Sequence, residues 1–204
     1  MEAAEQQAAQ AFGSNYSTIR QYVDILLSRG VKWGVIGPRE GERVWQRHIL
    51  NSLALGQLIP PNSRVLDVGS GAGLPGIPLA VGRPDLRVTL VESQLRRASF
   101  LELAVQELGL AGRVQVIRGR VEELQGHYDV VTARAVARLA RLVPWTVSLF
   151  VPDGQLLALK GVSASAEVAE ARPILEKLGL DARIQEVRAH PQAEPARVVV
   201  VRRR

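Results

Sequence analysis

From residue 64 onward, short apolar runs alternate with amphipathic stretches, so the chain reads as strands and helices taking turns. The runs 64–69, 87–91, 114–117, 128–132 and 155–159 are rich in Val, Leu and Ile, as strands buried on both faces of a parallel sheet must be. Between them the apolar period lengthens to that of helices. One starts near Leu74, where Pro75 and Pro78 are tolerable in a first turn. A second, 95–108, carries Ala98, Leu101, Ala104, Val105 and Leu108 on one side and closes at Gly109. A third runs from about Arg138 to Phe150, and a fourth covers 163–178, where Pro173 predicts a kink or a split. The last two apolar runs, 182–188 and 197–202, are joined by the link 190–195, too short for a crossover, so they predict an antiparallel hairpin.

Ahead of this pattern the chain is helical only. Residues 2–12 are Ala/Gln/Glu-rich, Gly13-Ser14-Asn15 interrupts them, and Ile19, Tyr22, Val23, Leu26 and Leu27 recur at helical spacing up to a C-cap at Gly30. After Trp33 comes a loop, 34–38, and then a third helix from Glu40 to about Leu58 with Val44, Trp45, Ile49 and Leu53 as its apolar face. Arg43, Arg47 and Asn51 lie four apart on one flank, with His48 and Ser52 beside them. That flank is either a solvated face or a set of hydrogen-bond donors for RNA or a cofactor, and His48 alone reads as a structural histidine. The expected organisation is an N-terminal helical extension, 1–58, packed on a core, 59–204. The expected fold is α/β and Rossmann-like, a mostly parallel seven-stranded sheet with a C-terminal antiparallel hairpin.

Composition narrows the setting. At 204 residues and 47% hydrophobic the chain fits one globular domain of ordinary size, and no apolar run reaches the ~20 residues of a membrane span. The opening Met1-Glu2-Ala3-Ala4-Glu5-Gln6 is too polar for a signal peptide, which makes the cytoplasm the expected compartment. There is no cysteine, which removes disulfides, Cys-ligated metal and thiol nucleophiles. A net charge of +6 favours an acidic polymer such as RNA or DNA as partner. Only Lys32, Lys160 and Lys177 are lysines; the arginine bias suits phosphate contacts but also follows from a GC-rich coding sequence.

The chemistry concentrates where strand 64–69 breaks into Gly69, Gly71, Gly73 and Gly76, a turn that brings backbone N–H groups to a ligand. Gly71-Ala72-Gly73-Leu74-Pro75-Gly76 fits the dinucleotide pattern G-x-G-x-x-G. However, the strand has already ended at Gly69, and Asp67 stands two residues earlier, giving D-x-G-x-G-x-G, the pattern of S-adenosylmethionine (SAM) methyltransferases. SAM is therefore preferred to NAD, and the terminal hairpin agrees. Glu92 closes the second strand about 20 residues on, where a carboxylate accepts the hydroxyls of a ribose, unless it is only an acid at a helix start. Val121 and Glu122 follow the third strand and suit an adenine ring and its amino group, with plain loop charge the alternative for Glu122. Arg134 and Lys160 end apolar strands, as cations for the SAM carboxylate or a phosphate or as side chains snorkelling at the rim. They are also the only candidate catalytic residues.

Absences bear on the acceptor. Carbon methylation through a cysteine is excluded, the loop 132–135 reads Thr-Ala-Arg-Ala and not the Asn/Asp-Pro-Pro-Tyr type of amine methyltransferases, and lysines are scarce for ribose methylation. A ring nitrogen such as guanine N7 needs positioning and little proton transfer. The segments Arg47-His48-Ile49-Leu50-Asn51-Ser52-Leu53, Asp67 to Ala80, Arg120-Val121-Glu122-Glu123, Arg134-Ala135 and Ala158-Leu159-Lys160-Gly161 together resemble the bacterial small-subunit rRNA guanine-N7 methyltransferases, also called glucose-inhibited division protein B. The resemblance covers nearly the whole chain. It implies SAM as donor and N7 of a guanine in the decoding-region loop of 16S rRNA as acceptor; the expected partner is the rRNA or the small ribosomal subunit, and the expected protein is a monomer without metal or membrane. It also implies that Gly69, Leu74, Val121, Glu122 and Arg134 line the SAM site. The chain departs from the family at Asn51, often Asp there, and at Val35-Ile36-Gly37, often Asn-Leu-Thr. On this reading Arg43, Arg47, His48 and Lys160 hold RNA, and the tail Arg202-Arg203-Arg204 is either a further RNA contact or a loose end. An NAD-dependent oxidoreductase and a non-catalytic, SAM-responsive RNA-binding protein remain the alternatives.

Overall fold

The computed structural model describes residues 3–204; Met1 and Glu2, part of the polar N-terminus noted above, lie outside the described residues. Seven strands form one sheet: β1 (Arg64–Val68), β2 (Arg87–Glu92), β3 (Val114–Arg118), β4 (Val130–Arg134), β5 (Gln155–Lys160), β6 (Leu180–Val187) and β7 (Ala196–Arg203), in the order β3-β2-β1-β4-β5-β7-β6. Strands β1 to β5 are parallel, whereas β7 runs antiparallel to both neighbours, with Leu157 opposite Val200 and Ile184 opposite Val199. This is the mixed sheet with a terminal hairpin that the pattern predicts. The order reverses between β1 and β4, which opens a crevice above their carboxyl ends.

The period of two in a strand sends alternate residues into separate cores. Val65, Val88, Leu157, Val198 and Val200 pack on one face, under α1 (Ala3–Phe12), α2 (Tyr16–Ile25), α4 (Gly76–Gly82) and α5 (Leu95–Glu107). Leu66, Val91, Leu156, Val199 and Val201 pack on the other, under α6 (Leu139–Phe150) and α7 (Ala164–Lys177). The N-terminal helices share the first of these cores. Gly82 is the meeting point, since a Cβ there would lie 2.3 Å from Leu53 and 3.2 Å from Phe12.

Two expectations about helices are corrected and a third is narrowed. Gly30 does not cap α2: the chain continues through a wide π turn, Leu26–Gly30, and stops at Gly34, whose φ of 63° closes a Schellman motif. Its two bonds run from Val35 N–H to the Gly30 carbonyl (2.9 Å) and from Gly34 N–H to that of Val31 (3.0 Å). Gly30 is small for packing, as a Cβ there would press on Ile36 at 3.3 Å. The helix 40–58 is a succession of a 3-10 stretch Pro38–Arg43, a π-wound Val44–Leu50, a short α3 (Asn51–Ala54) and a 3-10 turn Leu55–Leu58. The π winding lets five residues, Val44, Trp45, His48, Ile49 and Leu50, share the buried surface, which is wider than an α-helical stripe. Of the kink or split expected at Pro173, the split is absent: α7 runs unbroken from Ala164 to Lys177, with Ala171 and Leu175 in the second core.

Candidate functional site

The carboxyl end of β1 is fixed first. Asp67 is fully buried; its Oδ2 accepts the Gly76 N–H (3.0 Å) at the start of α4 and its Oδ1 accepts the Thr132 hydroxyl (3.2 Å) from β4. Burial pushes its carboxyl up to about 7 against these hydrogen bonds. Gly76 is the residue that lets this happen, since a Cβ would stand 2.8 Å from Asp67 Oδ2 and 2.2 Å from Leu90. Asp67 thus shapes the glycine turn from beneath and presents no surface of its own.

Above Asp67 the turn is held on two further sides. Ser70 N–H donates to the Val91 carbonyl (3.0 Å), and the buried Tyr22 hydroxyl donates to the Ala72 carbonyl (2.6 Å). Burial holds the Tyr22 phenol well above its usual range, so it stays a neutral donor. Glu92, at the end of β2, reaches the turn itself: Oε2 accepts the Gly71 N–H (3.0 Å) and Oε1 the Gln94 N–H (2.9 Å). Gly73 is buried in the turn, and Leu74 is half-buried against the first core.

Two cavities open over these strand ends. The first, about 240 Å³, is lined by Val68, Gly69, Val91, Ser93, Val136, Trp145 and the segment 119–122, so Gly69, Val121 and Glu122 share one cavity. The second, about 480 Å³, is lined by Arg47, Asn51, Glu167 and the segments 134–138 and 159–161. Val136 lines both. It is set there by Ala135, a non-glycine residue at φ 55°, and it lies so close over Gly69 that a Cβ on that glycine would meet Val136 at 2.8 Å. Neither Val136 nor Trp145 was legible in the sequence, because apolar side chains carry no chemical pattern and a positive φ at alanine has no composition signal.

Arg134 ends β4 at the floor of the larger cavity. Its Nη2 lies 2.5 Å from His48 Nδ1, and His48 Nε2 lies 2.6 Å from Glu40 Oε2, so a half-buried carboxylate, a buried imidazole and a half-buried guanidinium stand in line. Burial, then the Arg134 charge, push the His48 imidazole down, while the Glu40 contact pulls it up less strongly. The hydrogen bond from His48 holds Glu40 below the usual carboxylate range. Arg134 Nη1 and Asn51 Oδ1 are buried without a hydrogen-bond partner among the described residues. His48 is therefore turned inward, unlike the exposed Arg43 and Arg47 of the same flank. Arg47 is exposed and lines the larger cavity, and Arg43 is exposed beside it on the chain.

Lys160 is likewise not a free cation. Its Nζ pairs with Glu167 Oε2 (2.6 Å) and donates to the Ala137 carbonyl (2.7 Å), and Glu167 also accepts the Leu139 N–H and the Ser163 hydroxyl, each at 3.0 Å. Burial works to raise the Glu167 carboxyl, but these hydrogen bonds leave it lowered. The cluster clasps β5, the loop before α6 and the start of α7. Among the described residues no group of three or more His, Cys, Asp or Glu is placed to hold a metal ion, and no helix is long and apolar enough to cross a membrane.

Comparison with solved structures agrees with the topology. A mitomycin 7-O-methyltransferase aligns over the whole chain and 69% of its own length at a TM-score of 0.63 and 18% identity. The O-methyltransferase of neocarzinostatin biosynthesis, solved with S-adenosyl-L-homocysteine, aligns over 74% of this chain and 52% of its own at 0.58 and 19% identity. At these identities the likeness shows the fold, that of the class I SAM methyltransferases. Sequence relatives are much nearer. The ribosomal RNA small subunit methyltransferase G of Mycolicibacterium smegmatis is 49% identical over 99% of this chain and 88% of its own, and that of Salinispora tropica 54% identical over 82% and 73%. With residues 15–193 matching the family model described as GidB, rRNA small subunit methyltransferase G, the chain belongs to that family of methyltransferases.

Proposed function

We propose that this chain moves the methyl group of SAM to N7 of a guanine in the decoding-region loop of 16S rRNA, in the cytoplasm and as a monomer. When bound, SAM supplies a methyl group made electrophilic by its sulfonium. The residues present fit such a donor: Gly69 leaves a cradle under Val136, the Glu92 carboxylate stands at the turn to accept ribose hydroxyls, and Arg134 Nη1 is a buried cation without a partner for the amino-acid carboxylate. Val121 and Glu122 flank the smaller cavity as the adenine end.

The lining of the larger cavity carries the choice of acceptor. Its one carboxylate, Glu167, is engaged by Lys160, and its other polar side chains are Arg47, Asn51, Arg134 and Arg138, so it presents no unengaged base. Hydroxyl and exocyclic-amine acceptors must lose a proton, which calls for a base; guanine N7 attacks with a lone pair and carries no proton. The exposed Arg47 and the +6 net charge suit an RNA strand entering from that side. Transfer of a labelled methyl group to small-subunit rRNA, followed by mapping of the modified nucleotide, tests the reading. Label on a guanine N7 is expected; label on an amine, a ribose or no RNA overturns it, and tighter binding of NAD than of SAM revives the oxidoreductase.

A further inference from the structure

The line Glu40–His48–Arg134 joins a short 3-10 stretch of the N-terminal segment to the end of a core strand, 86 residues apart in sequence for its second bond. Its partners fix every proton. Glu40, held ionised, only accepts, so His48 Nε2 at 2.6 Å must carry a hydrogen; a guanidinium only donates, so Nδ1 at 2.5 Å must be bare. The imidazole is thereby neutral and singly oriented. With Nη2 spent on His48, the guanidinium keeps a buried Nη1 without a partner, on a residue that lines the larger cavity.

We infer that Glu40 and His48 are positioning residues for Arg134, holding its guanidinium so that Nη1 meets the carboxylate of the methyl donor. The inference rests on the reading that the chain binds SAM. It gives the N-terminal segment a part in donor binding, and it makes that binding sensitive to acid. Protonation of Nδ1 sets N–H against N–H and drives Arg134 from its place. Other charged groups face this line: Arg47 and Arg43 lie near Glu40, and Tyr22 and Asp67 near Arg134. Asp67 titrates close to neutrality, so the wild-type pH profile contains it as well.

Titration calorimetry of SAM into the full chain between about pH 5 and pH 8, with thermal melts alongside, separates these contributions. His48→Leu is expected to weaken SAM by about ten- to hundredfold, the loss of one hydrogen bond to a buried charge. His48→Asn places an amide oxygen near the position of Nδ1; it is expected to restore most of the affinity and to lose the part of the acid sensitivity that belongs to the imidazole. Glu40→Gln, which no longer dictates the tautomer, is expected to fall between them. The inference is overturned if His48→Leu binds within about twofold of wild type, if His48→Asn is as weak as His48→Leu, or if wild type and His48→Asn share one pH profile. A wild-type chain that binds no SAM overturns the donor reading and this inference with it, whereas wild-type binding with unchanged variants removes the inference alone.

Discussion

At the scale of single residues, the carboxylates divide by what they touch. Glu92 faces the glycine turn, so Glu92→Ala should weaken SAM about tenfold or more in calorimetry while leaving RNA affinity near wild type. Equal loss of both would contradict that division. Asp67 acts on stability. Its folded carboxyl titrates near 7, above the ordinary 3.8, so between those values the folded state holds more protons than the unfolded. The contribution of Asp67 should therefore be largest in mild acid and decline as pH rises toward 7, by up to about 1.4 kcal/mol per unit. Urea unfolding of wild type and Asp67→Asn at pH 5 and 7.5 reads it, and a difference that grows with pH would contradict it. Asp67 and Glu92 were both visible in the sequence as acids on apolar strands, but only the structure separates the one beneath the turn from the one beside it. His48 and Lys160 were visible as polar residues too. Their partners were not, since Arg134 and Glu167 come to them through the sheet order and through a turn.

The strands were legible because β1, β2, β4 and β5 are buried on both faces and their apolar runs end at a polar residue or glycine, and the found limits of β2 and β5 lie within a residue or two of those predicted. The segment 38–58 was not, because its buried surface is broader than a period of 3.6 can express and the π winding follows from packing against α1. Two devices between elements invite tests. Lys160→Met leaves Glu167 buried and unpaired and should cost about 3–5 kcal/mol in urea unfolding, less when combined with Glu167→Leu. If Lys160 gripped RNA instead, the loss would appear in RNA binding with stability intact. Gly34→Ala forces an L side chain into the left-handed region and should cost about 1 kcal/mol without changing SAM affinity.

For the molecule as a whole, the reversal of strand order between β1 and β4 sets the place of the site, and the N-terminal helices supply one wall of the larger cavity through Arg47 and Asn51. Basic charge on that wall predicts that Arg47→Ala weakens RNA binding chiefly and lowers its salt dependence by about one ion; an unchanged slope would place the RNA elsewhere. The two cavities meet at one side chain, Val136 over Gly69. A donor reaching from one chamber into the other and an RNA strand in the larger would both touch this side chain, and any coupling between them is expected to run through it. Whatever factor the donor confers on RNA, RNA must return to the donor, and Val136→Ala is expected to bring that shared factor closer to one.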